Sequence, residues 1–273
     1  MPNHITNKLF IDLPEDADIW AAVRGEYPVP FTDKAKAVRE FLRSDRSQID
    51  FNNIKKMPEI LQDIVSGTTR IHGFSVENPI RKYFPKDTKF IPSGFGDELM
   101  TEDGVWVKSH DLFIPEGTVA VERRMTKEEE RMLDDEVGAR DWYSWACKNW
   151  GTKWNAYEVD AADACITFDT AWSGVPDLIT ELSLKFPDVT FGYAYADEDT
   201  GNNTGIGTIK NGEQNIFFYS GCTEAYKVAF AIRPEAEDYY DFVDGEYVYK
   251  EEEDDALPSD NAALYLPEST EES

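Results

Sequence analysis

Along the first stretch hydrophobic and polar positions alternate, with Ile5, Leu9, Ile11 and Leu13 on one side and Thr6, Lys8 and Asp12 on the other. A period of two predicts a half-buried strand over residues 5 to 13, with Phe10 out of place on the polar side. The period then lengthens. Pro14 opens a short helix holding Ile19, Trp20 and Val23, and Thr32 is placed to cap a second, with Val38, Phe41 and Leu42 at helical spacing and an end near Ser44. Residues 48 to 55 predict another strand, and Pro58 the first residue of a helix with Ile60, Leu61, Ile64 and Val65. From residue 67 to about 125 the texture changes to short extended runs broken by Gly and Pro, which predicts an inserted β and loop subdomain.

Helical spacing returns after that. Thr126 and Glu129 form a capping box for a helix starting at Lys127, and a further helix over 139 to 149 carries Trp142, Trp145, Ala146 and Trp150 on one stripe, read as core. Ile166 and Phe168 alternate with Cys165, Thr167 and Asp169 in a strand. A helix over 177 to 186, a strand over 189 to 195, a polar turn, one or two strands over 207 to 220 and a helix capped by Thr223 and reaching about Ile232 complete the body. This order predicts an α+β sandwich with helices on one face of a largely antiparallel sheet.

Charge divides the chain. It has 273 residues with 54 Asp plus Glu against 27 Lys plus Arg, a formal net charge of −27. A surface this acidic repels phosphate polyanions and anionic lipid, which argues against duplex DNA and membrane as partners. From Glu235 to Ser273 there are 15 acids and one Lys, so the C-terminal segment carries about half of the net charge. Residues 256–273, poor in apolar side chains, are expected to be disordered. Residues 70–91 run the other way, with Arg70, Arg81, Lys82, Lys86 and Lys89 against Glu77 and Asp87, interleaved with aromatics. That composition suits single-stranded nucleic acid, or a solvated loop that pairs with the acidic remainder.

Just before the tail, Asp244-Gly245 separates two alternating runs, the signal for a type I′ hairpin. Pairing Val243 with Glu246 sets Phe242 opposite Tyr247 and Tyr240 opposite Tyr249, so all four rings share one face. That face either packs on the body or presents an aromatic contact surface framed by acids. Glu251, Glu252, Glu253, Asp254 and Asp255 follow, and in extended form span about 17 Å, near the charge spacing of a single DNA strand.

Other chemistry finds little support. His4, His72 and His110 lie far apart with no metal-ligand spacing, so no metal and no cofactor is expected. Asp197-Glu198-Asp199-Thr200-Gly201 departs from a calcium loop at its fifth and twelfth positions. Paired carboxylates are inevitable among 54 acids and carry no information. Cys147, Cys165 and Cys222 form no CxxC and read as buried small hydrophobes in a reducing compartment. No apolar run approaches the roughly 20 residues of a membrane-spanning helix, and the polar start lacks a signal-peptide core, so the host cytoplasm is the expected location.

Three stretches point further. Met1-Pro2-Asn3-His4-Ile5-Thr6-Asn7-Lys8-Leu9, then Ile49-Asp50-Phe51-Asn52-Asn53-Ile54 with Met57-Pro58-Glu59, then Trp150-Gly151-Thr152-Lys153-Trp154-Asn155-Ala156 followed by Phe168-Asp169-Thr170-Ala171-Trp172 resemble the YubB-type ferredoxin-like domain of phage and plasmid proteins. The resemblance implies a ferredoxin-like core from a mobile genetic element and carries no activity. The expected organisation is a core of residues 1–66 and 139–232, an insertion over 67–138, the aromatic hairpin and charge run over 233–255, and the tail. Within the motifs, polar side chains either tie strand starts together by hydrogen bonds, or His4, Asn7, Lys153 and Trp154 share a ligand site. The leading functional expectation is a non-enzymatic accessory protein binding a host protein, such as a defence nuclease, through an acidic, DNA-like surface. One alternative is a single-stranded nucleic-acid-binding module using Tyr193, Tyr195, Phe217 and Tyr219; another is a small-molecule enzyme of unknown reaction.

Overall fold

The computed structural model describes residues 3–61 and 127–250, together with the backbone of seven short strand segments between them. Its centre is a six-stranded, wholly antiparallel sheet. The strands are β1 (His4–Ile11), β2 (Tyr157–Ala162), β3 (Cys165–Ala171), β4 (Phe191–Asp197), β5 (Thr204–Lys210) and β6 (Glu213–Tyr219), and their order across the sheet is β6-β5-β4-β1-β3-β2. The helices are α1 (Ile19–Val23), α2 (Asp33–Leu42), α3 (Phe51–Ile54), α4 (Lys127–Val137), α5 (Trp142–Asn149), α6 (Pro176–Lys185) and α7 (Thr223–Ile232). With α2 between β1 and β2 and α6 between β3 and β4, the order β4-β1-β3-β2 is the ferredoxin-like βαββαβ arrangement. β5 and β6 widen it on the β4 side.

The alternation in β1 directs Ile5, Leu9 and Ile11 into a core shared with α2, α3, α5 and α6. Thr32 caps α2 as expected, its hydroxyl accepting from Ala35 N at 3.0 Å and donating to Asp12 Oδ2 at 2.7 Å. Helices, however, cover both faces of the sheet. Phe10, the residue misplaced on the polar side of β1, joins Ala194, Ala196 and Ile206 beneath Ala22 and Val23 of α1 and Val228, Ala229 and Ile232 of α7. The cause lies in β4, which is buried along its whole length. Its rings Phe191, Tyr193 and Tyr195 fill one face, while Gly192, Ala194 and Ala196 leave room on the other. A Cβ on Gly192 would lie 2.8 Å from Ile19 Cδ1.

Local expectations fail in two places before the insertion. The strand expected over 48 to 55 is the short helix α3, because Asp50 caps it (Oδ1 accepts from Asn52 N at 2.9 Å) and Phe51 and Ile54 reach the core at a spacing of three. The helix after Pro58 lasts one 3₁₀ turn, Glu59–Leu61, and Ile64–Val65 is extended, pairing with Arg70–Gly73. The segment between 64 and 124 contains a four-stranded and a three-stranded antiparallel sheet, described at the level of backbone pairing. The side chains of the basic stretch 70–91, Thr126 and the tail from Glu251 lie outside the described residues. No helix among the described residues is long and apolar enough to cross a membrane.

Candidate functional site

The hairpin forms as the sequence predicts. β7 (Tyr240–Val243) and β8 (Glu246–Tyr249) pair with Tyr240 opposite Tyr249, Phe242 opposite Tyr247 and Val243 opposite Glu246. Asp244 and Gly245 both have positive φ, +52° and +94°, as a type I′ turn requires. A two-stranded ribbon is marginal alone, and this one has a seat. Tyr240 and Tyr247 lie against Tyr226 and Phe230, one turn apart on α7, with ring centroids 5.0 to 5.6 Å apart. Thr223, expected to cap α7, begins that helix instead and donates its hydroxyl to Gly245 O at 2.9 Å. Lys250 closes the base of the ribbon, donating from N to Tyr239 O at 2.9 Å and from Nζ to Asp238 O at 2.7 Å.

The four hairpin rings therefore divide. Tyr240 and Tyr247 anchor, whereas Phe242 is 59% exposed and Tyr249 57%. Tyr239, which sequence reasoning passed over, is also exposed and stacks on Tyr249 with planes 4° apart. Val243 and Val248 are exposed too. The segment 235–250 carries Glu235, Glu237, Asp238, Asp241, Asp244 and Glu246 with Lys250 as its one base, and Arg24 and Lys227 line a groove with Tyr247 and Glu237. The run Glu251, Glu252, Glu253, Asp254 and Asp255 lies outside the described residues.

The motif residues separate into two sets. Asn7 is fully buried, and Nδ2 donates to Ile5 O at 2.8 Å, Phe168 O at 3.2 Å and Thr170 Oγ1 at 2.9 Å. Its Oδ1 accepts from Tyr193 OH at 2.5 Å, and that hydroxyl accepts from Val175 N at 2.7 Å. Thr152 ties the Trp-rich segment to β3, its hydroxyl donating to Ala171 O at 2.9 Å and accepting from Ala171 N at 3.0 Å. These hydrogen bonds tie β1 to β3 and β4, and the Trp-rich segment to β3, rather than the two strand starts to each other, and Asn7 has no polar atom left for a ligand.

The second set meets at the surface. Lys153 Nζ lies 4.4 Å from the Trp154 ring centroid, 5.1 Å from that of Trp172 and 6.0 Å from that of Tyr143. Trp154 is 38% exposed and Trp172 41%. Trp154 packs edge-on to Tyr157, whose hydroxyl lies 2.8 Å from His4 Nδ1 and donates to Thr170 O at 3.2 Å. Burial pushes the Tyr157 pKa up to about 12, so this hydroxyl keeps its proton. Thus Lys153 and Trp154 come together, His4 joins through Tyr157, and Asn7 stands apart on the opposite face of β1. Trp172, to which sequence reasoning gives no role, completes this cluster.

Other candidates resolve readily. Tyr193 and Tyr195 are buried and cannot stack bases, unlike Phe217 at the β6 edge. A groove of about 360 Å³ near the ends of α1 and α7 contains Lys8 and Cys165. Lys8 Nζ donates to Val23 O at 3.0 Å and Ala231 O at 3.5 Å, satisfying helix-end carbonyls. Burial pushes the Cys165 pKa up, which keeps it a thiol and a poor nucleophile. No group of three metal-ligating side chains occurs among the described residues.

Residues 149–243 match the family model described as a ferredoxin-like domain in Api92-like protein. The match covers about a third of the chain, from the end of α5 to the end of β7. It supports the ferredoxin-like part of the resemblance seen in the sequence, and the strand order supplies the rest of the core from β1. No curated protein and no solved structure matches the chain.

Proposed function

We propose that this chain is a non-enzymatic accessory protein of a phage or plasmid that acts in the host cytoplasm. Its docking surface is the C-terminal hairpin with the acidic run behind it. Its partner is a host protein with a basic surface, of which a nucleic-acid-binding or defence nuclease is the fitting class. The observation that carries this reading is the exposure of Tyr239, Phe242 and Tyr249 on a ribbon held rigid by α7 and ringed by carboxylates. Buried aromatic anchors supply most of the energy of a protein interface, and rings fixed in place before binding lose little entropy. The surrounding acids steer a basic partner and raise its association rate. A surface evolved to bind phosphates would meet here a set of carboxylates together with apolar anchors that DNA lacks.

The test compares host proteins retained by three forms: the full chain, Phe242→Ala with Tyr249→Ala, and a truncation after Lys250. The full chain should retain a basic protein that salt releases. Loss of the rings should abolish retention, while loss of the tail should slow association and flatten its salt dependence. Equal retention by the full chain and the ring variant would move the contact elsewhere.

A further inference from the structure

Motif residues beyond the framework around Asn7 and Thr152 converge on one place. Lys153 and Trp154 come from the loop before β2, Trp172 from the end of β3, and Asn3 from the start of β1. Two features make the convergence unfavourable for a purely structural cluster. First, two indoles are left more than one third open to water. Second, Trp172 adopts φ +69°, a left-handed backbone that a bulky residue seldom takes. That backbone is held on both sides, Trp172 N donating to Asn3 O and Asn203 Nδ2 donating to Trp172 O, both at 3.0 Å. Strain kept in place by its surroundings and aimed at a surface ring is the mark of a functional constraint.

The chemistry of the cluster defines what it would take. Two indole faces offer stacking area for a flat ring. The ammonium of Lys153 lies between them with no carboxylate within ion-pair distance among the described residues. Its positive charge lies near the rings of Trp154, Trp172 and Tyr143 and the Cys147 thiol, in a chain with twice as many acids as bases. The pair His4 and Tyr157 adds polar groups beside Trp154.

We propose that Trp154, Trp172 and Lys153 form a binding site for a planar heteroaromatic ring carrying an anionic group, the chemistry of a nucleotide, with the ring stacked on indole and the phosphate on the lysine. Two sources offer this chemistry, a free mononucleotide and a nucleotide within a single strand. The net charge of −27 repels a polyanion far more than a mononucleotide, so the free nucleotide is the expected occupant.

Titration by calorimetry and by tryptophan fluorescence with adenosine monophosphate, adenosine, inorganic phosphate and a short single-stranded oligonucleotide tests this. The monophosphate should bind saturably, adenosine more weakly, and phosphate alone without detectable heat. Lys153→Met should bring the monophosphate down to the affinity of adenosine while leaving adenosine binding intact. Trp172→Asn keeps a residue that tolerates the left-handed backbone, and should weaken both ligands by roughly 5- to 150-fold, the equivalent of one stacked base. Near-UV circular dichroism confirms that each variant is folded. A tighter complex with the oligonucleotide than with the monophosphate would overturn the preference for the free nucleotide. Absence of saturable binding by the wild-type chain at ~10 mM monophosphate, where a Kd of about 1 mM would be nearly saturated, would overturn the site itself. Equal affinity of wild type and Lys153→Met for the monophosphate would overturn the role of the lysine.

Discussion

Replacing Tyr193 by Phe removes one oxygen from a fully buried ring and isolates the worth of the polar knot beneath β1. The hydroxyl is both donor and acceptor: it donates to Asn7 Oδ1 and accepts from Val175 N. Burial holds its pKa well above the ordinary tyrosine value, so the proton that reaches Asn7 is always present. In Tyr193→Phe the ring volume is kept, no cavity of consequence opens, and two buried polar groups lose their partner. At about 1–3 kcal/mol for each orphaned group the loss is roughly 2–6 kcal/mol, or on the order of 5–20 °C in Tm for a domain of this size. Chemical denaturation should show a lowered midpoint with an unchanged slope. Asn7→Leu with Tyr193→Phe should then be less damaging than the two single changes combined, with a coupling of at least about 1 kcal/mol, because removing both partners leaves fewer unsatisfied groups. A Tyr193→Phe variant within ~0.5 kcal/mol of the parent, or an additive cycle, refutes the structural assignment of Asn7 and returns it to the ligand candidates.

Three further outcomes follow from other parts of the molecule. Gly207→Ala would place a Cβ 2.0 Å from Asn215 O, a backbone atom, so the β5 and β6 pairing must give way; about 1–3 kcal/mol should be lost, with hydrogen exchange fastest along β6. Tyr247→Ala removes a ring lodged between Tyr226 and Phe230 and should free the hairpin to limited proteolysis, whereas Phe242→Ala should leave stability within ~0.5 kcal/mol, as expected of an exposed side chain. Burial raises the pKa of Asp169 despite the nearby Thr6, His4 and Arg233 side chains, which oppose the shift. The folded state therefore holds this proton to higher pH than the unfolded chain does, and stability falls as pH rises through that window. Asp169→Asn should be the more stable protein at pH 7, with the advantage gone below about pH 4; an advantage that grew on acidification would reverse the sign of the argument.

The hairpin was legible to the register because everything that fixes it is local: a turn that demands positive φ at two positions and a strict alternation on either side. The same local signal sits at Asn211-Gly212, where φ of +46° and +81° joins β5 to β6, and the sequence reading saw there only one or two strands. Failure came where tertiary placement overrides a local pattern. Residues 48 to 55 look extended because Ile49, Phe51 and Ile54 are apolar, but the cap by Asp50 and the core beneath decide for a helical turn. At the surface cluster, Lys153 and Trp154 were found together through their motif. Trp172 was not joined to them, because the strand Tyr157–Ala162 was not seen in the sequence, and it is its pairing with β3, with Tyr157 opposite Asp169, that brings the end of β3 beside that loop.

The second helical face shows how one strand decides whether the proposed docking surface exists. In Phe191-Gly192-Tyr193-Ala194-Tyr195-Ala196 large rings alternate with the smallest side chains, and both sets are buried. Burial on both faces is the property of a central strand covered by two layers. A sheet with large polar residues at 192, 194 and 196 would keep that face in water, and α7 would have nothing to cover. The Gly and Ala side admits α7 at close range, with Ala225, Val228, Ala229 and Ile232 buried. Helical geometry then sends Tyr226 and Phe230, four residues apart, outward along one side. Those two rings are the seat on which Tyr240 and Tyr247 rest. Bulk introduced at the small side of β4, as in Ala194→Leu, should therefore act at a distance, loosening α7 and with it the exposed pair Phe242 and Tyr249. Partner binding and hairpin protection from proteolysis should be lost together in that variant, and loss of either without the other would break the proposed link between the core and the surface.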